Sequence, residues 1–253
     1  MRKFVPTAWA LALCLAGHAL ADNVVVPNQA PTTAGTGGYN TLLKSLPRSY
    51  QTVIGPQELS GLPVGSLITG ITFRRPSYQL FDPWPGFGAT CAFDHYDIYL
   101  STSLNPPGSL SSTYTDNIGP VVLEVRSGPI SFEDDFFPGG AVTPFVNPFG
   151  SVIAFTAPYV YQGGDLLVTF HHTGDLCGFS GLLDSVPSSF TQSIGINSYD
   201  QVSNWYSQGL IAMEFIFNQP GTTCAADIAP PGGDGIVNVD DLLAVINAWG
   251  PCP

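Results

Sequence analysis

Asp234-Gly235-Ile236-Val237-Asn238-Val239-Asp240-Asp241 alternates oxygen-bearing side chains with apolar ones, which is what a loop closing around a hard divalent cation requires. A twelve-position calcium loop takes oxygens from alternate positions, with Gly at six for the sharp turn, a backbone carbonyl at seven and a carboxylate at twelve. With Asp234 at position five, Gly235 is six, the Ile236 carbonyl is seven, Asn238 is nine and Asp241 is twelve. The first half departs from the pattern. Positions one and three fall on Pro230 and Gly232, neither with a side-chain oxygen, and the nearest upstream acid, Asp227, lies three residues too early. A bulge of Ala229 to Gly233 would return Asp227 to the ion. An ion-free Asp-Gly turn capping a helix would carry the same second half, so both readings stand at this point.

Other chemistry-bearing residues are sparse. Three histidines follow residue 21: His95, His171 and His172. If the strands alternate regularly, His95 and Asp97 share a face, while His171 and His172 point to opposite faces. A metal site from His95, Asp97 and one of the later pair is conceivable, but no two histidines show ligand spacing on a strand. Glu133-Asp134-Asp135 could mimic a carboxylate pair for glycoside cleavage; between Phe132 and Phe136-Phe137-Pro138-Gly139-Gly140 it reads better as a solvated loop tip. No Gly-x-Ser-x-Gly elbow, Cys/His nucleophile arrangement or phosphate-binding glycine loop is present. Aromatics are better supplied. Tyr78, Phe81, Trp84 and Phe87 lie in the Pro/Gly-rich stretch 77–89, and Trp205-Tyr206 form a second group. Trp84, Trp205 and Tyr206 are candidates for stacking on sugar rings; the alternative is that these rings fold inward to cover the ends of the domain.

The chain must place these residues outside the cytoplasm. Arg2 and Lys3 precede an apolar run from Ala8 to Ala16, and Ala19-Leu20-Ala21 puts small residues where a signal peptidase reads, so residues 1–21 read as a signal peptide cleaved before Asp22. The apolar run is too short to span a bilayer, and no later stretch is long and apolar enough to do so. Without residues 1–21, five basic residues face nineteen acidic ones, a formal charge of −14. Such a surface repels nucleic acid and anionic lipid and favours divalent cations. Cys14 leaves with the signal; Cys91, Cys177, Cys224 and Cys252 remain, an even number that suits an oxidising compartment. Of three possible pairings, sequence position favours Cys91 with Cys177 and Cys224 with Cys252, each stapling one unit.

Gly (28) and Pro (23) are abundant and charged residues only 10%, while β-branched and aromatic residues recur in short runs. The alternation in Leu67 to Phe73 puts Leu67, Thr69, Ile71 and Phe73 on one face. Further strand segments are Phe93 to Leu100, Val121 to Val125, Val152 to Phe155, Leu166 to His172 and Leu210 to Phe217. About ten segments between residues 38 and 218, separated by turn clusters, predict an all-β domain over 22–217 of sandwich or jelly-roll type. Residues 218–223 form a polar linker. Beyond it the period becomes helical: Leu242, Val245, Ile246 and Trp249 make one apolar stripe, with Asn238 as N-cap, Gly250 as the left-handed cap and Pro251 as the stop. The last unit, 224–253, therefore reads as a loop plus helix, the loop a calcium loop on the first of the two readings above. Its 29-residue closure by Cys224 and Cys252 would constrain the unfolded tail by about 3 to 4 kcal/mol.

The Asp-Gly-x-Val-Asn-x-x-Asp core at 234–241, followed by Leu242-Leu243 and Trp249-Gly250, resembles the dockerin repeat, an EF-hand-type loop and helix. Dockerins pack two such repeats together; this chain has one, with its first ligands displaced. It is most similar to the single, cysteine-flanked dockerin-like tails of exported proteins from planctomycetes and related environmental bacteria. That resemblance implies sorting or anchoring through a cell-surface or cohesin-like partner, with Ca2+ held by Asp227, Asp234, Ile236, Asn238 and Asp241. The large domain is similar to the β-sandwich ectodomains of PEP-CTERM-type exported proteins, through Leu67 to Arg74, Tyr96 to Thr102 and Leu110 to Thr113. The expectation is a secreted, surface-anchored, non-catalytic structural or adhesive protein. The alternatives are a carbohydrate-binding module of a polysaccharide-processing system and an extracellular hydrolase.

Overall fold

Strands form where the β-branched and aromatic runs lie, and the Gly/Pro clusters between them become turns. A computed structural model of the chain describes residues 21–78, 82–178, 180–196, 198, 202, 205–207, 209–220 and 239–247, with backbone alone at 205–207, 209 and 247. In chain order these hold β1 (Asp22–Val26), β2 (Gly37–Tyr39), β3 (Arg48–Ile54), β4 (Leu67–Phe73), β5 (Cys91–Phe93), β6 (Tyr96–Ser103), β7 (Ile118–Arg126), β8 (Ile130–Phe132), β9 (Ile153–Val160), β10 (Leu166–His172), β11 (Leu183–Pro187), β12 (Thr191–Ile196), β13 (Trp205–Ser207), β14 (Gly209–Ile211) and β15 (Met213–Asn218). One α-helix follows, α1 (Val239–Asn247). The described residues are all-β apart from α1 and the 3-10 turns Thr41–Leu43 and Tyr114–Asn117. None of the described helices is long and apolar enough to cross a membrane.

Every strand pairing is antiparallel. The sheets run β1-β15-β4-β9, β13-β12-β3-β10-β6-β7, β14-β11-β2 and β5-β8. One apolar cluster draws on the two largest sheets: Ile71 and Phe215 come from the four-stranded sheet, and Tyr50, Ile98 and Phe170 from the six-stranded one. Leu166, Val168 and Phe170 point into it. Leu167, one residue off in parity, joins Val53, Leu110, Tyr114 and Ile194 in a second cluster. The stretch carrying Leu110 and Tyr114 thus covers the other face of the six-stranded sheet. β3 and β10 are consequently buried at every position instead of alternating.

Three local expectations change. Thr69 is the extra residue of a bulge: Ile68 pairs with Phe217 and Gly70 with Ile216. A bulge resets side-chain parity, so Ile68, Ile71 and Phe73 share the core, whereas strict alternation had grouped Thr69 with Ile71 and Phe73. The run Phe93 to Leu100 is two strands, broken at Asp94-His95. The run Leu210 to Phe217 also divides at Ala212, where the chain leaves the three-stranded sheet for the four-stranded one. The expected bond between Cys91 and Cys177 is present. It joins the start of β5 to the turn after β10, where the Leu176 amide also donates to the Ala92 carbonyl.

Candidate functional site

Sheet register brings together residues that lie far apart in sequence. β3, β10 and β6 are neighbours, with Ser49 opposite His171 and His171 opposite Asp97. The three side chains form a row of hydroxyl, imidazole and carboxylate, residue types that elsewhere perform nucleophilic catalysis. Ser49 Oγ lies 2.8 Å from His171 Nδ1. Asp97 Oδ1 accepts the Gly128 amide at 2.8 Å. Burial pushes the His171 imidazole below its ordinary pKa, and the Asp97 charge opposes that. Ser49, however, is fully buried. The Tyr114 hydroxyl donates to the Ser49 carbonyl, and its ring tilts over His171 at 6.3 Å. Ser49 Oγ faces other protein groups, and its bond to His171 ties β3 to β10. Sequence reasoning missed Ser49, because its place beside His171 depends on strand order.

His95 does not join the row. It is exposed in the break between β5 and β6, where its amide donates to the Thr173 hydroxyl at 3.2 Å. The expectation that His95 and Asp97 share a strand face is corrected by that break. Among the described residues, no three His, Cys, Asp or Glu side chains gather closely enough to hold a metal.

His172 points to the opposite side of β10, as alternation requires. Its Nε2 donates to the Thr41 carbonyl at 2.7 Å, and its Nδ1 accepts the Gly174 amide at 3.1 Å, which fixes the neutral Nε2–H tautomer. The ring stacks on Tyr96 at an interplanar angle of 12°. Burial lowers its pKa to about 4 from the ordinary 6.5. Between those values the unfolded chain binds the proton and the folded chain does not. This contribution to stability is therefore full above about pH 6.5 and declines by about 3 kcal/mol as the pH falls to about 4. Burial raises the Asp165, Asp175 and Glu214 carboxyls, which works the other way at low pH. Urea midpoints at pH 7 and pH 4.5, for the parent and His172→Gln, isolate the histidine. The parent should lose more stability than the variant over that interval, and equal losses would refute the assignment.

Trp84 is 3% exposed, so its ring is part of the core and not a surface platform. It packs on Phe132 at 5.5 Å and stacks on Phe137 at 6.1 Å, and its amide and carbonyl pair with those of Phe137. The physical reason is the short ladder between the two segments, which turns the apolar loop residues inward. Phe87, with a left-handed φ of 63°, is 94% exposed instead. Trp205 and Tyr206 begin β13, which pairs with β12; their side chains lie outside the description. Glu133, Asp134 and Asp135 are exposed, as the solvated-tip reading expects.

Of the tail residues, Asp227, Asp234, Ile236 and Asn238, together with Cys224 and Cys252, lie outside the described residues. Asp241 lies inside them, in the first turn of α1. Its exposure is 3%, while Leu242 is 58%, Val245 50% and Ile246 47% exposed. Burial is thus inverted relative to an ordinary amphipathic helix: the acid is covered and the apolar stripe is bare.

A concavity of about 380 Å³ opens between the turn after β1, the turn after β3 and the β11–β12 connection. Glu58 forms part of its lining and is 7% exposed. No sequence motif marks it, because its residues come from three separate turns. Comparison of this chain with protein-family models, with curated proteins and with solved structures finds no match to any of them.

Proposed function

We propose that this chain is an exported, non-catalytic structural or adhesive protein, with a body of sandwich or jelly-roll type held at the cell surface by a C-terminal calcium-loop module. The observation that carries this reading is the inverted burial of α1. Asp241 is removed from water in the first turn of α1. Position twelve of a calcium loop is where such a carboxylate belongs, at the helix start with the ion before it. The residues that would hold the ion are Asp227, Asp234, the Ile236 carbonyl, Asn238 and Asp241, and Ca2+ would supply a positive charge among their oxygens. The bare stripe of Leu242, Val245 and Ile246 suits an anchoring partner, since apolar patches on soluble units mark contact surfaces. One further feature supports export: the Cys91–Cys177 bond suits an oxidising compartment.

Calorimetric titration of the mature chain with CaCl2 tests the metal site. The expected dissociation constant is on the order of 10⁻⁴ to 10⁻³ M, the range of extracellular modules. Asp241→Asn should weaken binding at least tenfold, since it removes the ligand charge. No heat at millimolar Ca2+ would sink the site. Anchoring is tested separately, by fractionating native cells with and without residues 224–253. Release of the truncated form alone is expected; if both forms stay, or both are released, the anchoring role is wrong.

A further inference from the structure

We infer that the concavity beside Glu58 is a binding site for a neutral, hydroxyl-rich ligand, a saccharide of one or two rings. The inference uses none of residues 224–253 and stands apart from the calcium reading. Three turns build the site, and Glu58 fixes their arrangement: its Oε2 accepts the Asn28 amide at 2.6 Å and its Oε1 accepts the Ser188 hydroxyl at 2.5 Å. The Asn28 carboxamide donates to the Gln57 carbonyl at 2.6 Å, and Gln29 donates to the Pro187 carbonyl at 2.7 Å. Gly55 lets the turns close. A Cβ there would sit 2.9 Å from Gln57 Oε1 and 3.1 Å from the Phe190 carbonyl, which accepts the Gly55 amide.

The lining selects the ligand class. Asn28, Gln29 and Gln57 present carboxamides, each both donor and acceptor. A carboxylate oxygen has two lone pairs, so each oxygen of Glu58 keeps one for a ligand hydroxyl. Phe190, 44% exposed at the rim, offers a ring face. No lysine or arginine is among the lining residues, which, with the acidic composition of the chain, disfavours phosphate, sulfate and carboxylate ligands. Pro187 and Phe190 are the only apolar side chains in that lining, too few to enclose a lipid chain. A neutral sugar has what remains: hydroxyls that donate and accept, and one apolar face to lie on an aromatic ring. The volume sits at the low end of the range for ligand clefts, which sets the size at one or two rings.

The test uses the whole mature chain and saturation-transfer NMR with a panel of neutral gluco-, galacto-, manno- and xylo-oligosaccharides, with uronic-acid oligosaccharides as charged counterparts. At least one neutral sugar should bind, and its affinity should fall at least tenfold in both Phe190→Ala and Gln57→Ala. Both side chains are exposed, so thermal melts of the variants should match the parent and separate lost binding from lost fold. Absence of binding by every neutral sugar at tens of millimolar, binding unchanged in both variants, or tighter binding of the uronic-acid series would each overturn the inference. None of these outcomes bears on calcium binding by the tail.

Discussion

The variant Cys91→Ala/Cys177→Ala should be less stable than the parent by about 4 to 5 kcal/mol, because the bridge closes a span of 86 residues and so restricts the unfolded chain. The folded side adds little to oppose this. Cys91 is fully buried, and its strand is held otherwise by a three-residue ladder to β8 and by the Ala92–Leu176 hydrogen bond. Alanine at these positions leaves a small void, and that deepens the loss. For a domain of this size each kcal/mol moves the melting temperature by roughly 2 to 4 °C, so a fall of roughly 10 °C or more is expected. The parent melted in excess reductant should show at least the same fall, since reductant also opens the bond expected between Cys224 and Cys252. A melt that reductant leaves within about 2 °C, with both thiols then shown to be free, would mean that the closed loop constrains nothing.

That bridge was legible in the sequence, and the reason separates what could be read from what could not. Cysteine pairing among four residues has three solutions, and position along the chain already favours Cys91 with Cys177. Strand existence was legible too, since Leu166 to His172 or Val121 to Val125 need only their own run of apolar and β-branched residues to declare an extended segment. Thr69 marks the first limit. A bulge depends on the neighbouring strand, here β15, so nothing within Leu67 to Phe73 reveals that parity resets. Trp84 marks the second: an aromatic in a Pro/Gly-rich stretch reads equally as platform or plug, and its ladder to Phe137, 53 residues on, decides for plug. The row of Ser49, His171 and Asp97 and the cleft at Glu58 lie beyond local reading altogether. Both arise from lateral strand order and from turns that meet only in the folded chain. α1 was legible as an element, but its inverted burial was not.

Arg74→Met should destabilise the protein by about 3 to 5 kcal/mol, the usual loss when one partner of a buried ion pair is removed. Arg74 and Asp184 are each 1% exposed and form a salt bridge. Arg74 Nε and Nη2 both donate to Asp184 Oδ2, at 2.9 and 2.7 Å, and the remaining donors reach the Ala30 carbonyl at 2.5 Å and the Thr33 carbonyl at 2.7 Å. The Gly35 amide lies 3.2 Å from the same carboxylate oxygen. Gly35 tolerates no side chain, since a Cβ would stand 2.1 Å from Asp184 Oδ1 and 2.2 Å from the Ser185 carbonyl. One guanidinium thus ties β4 to the carboxylate of β11 and to two carbonyls of the turn after β1. The double variant Arg74→Met/Asp184→Leu removes the unpaired charge and should regain part of the loss. It should still fall about 1 to 3 kcal/mol short of the parent, because the Ala30 and Thr33 carbonyls lose their donor. Urea unfolding of the parent, both single variants and the double variant gives the coupling. Recovery to full parental stability would show that the carbonyl contacts contribute nothing; a single-variant loss under about 1 kcal/mol would show that the pair is not sealed from water. Hydrogen exchange gives the structural readout. The amides of residues 28–35 should exchange faster in Arg74→Met than the β10 amides do, because the clamp holds that turn while β10 is secured by β3 and β6. The same turn carries Asn28 and Gln29 into the cleft beside Glu58, so the buried pair sets the shape of the proposed saccharide site from one layer beneath it.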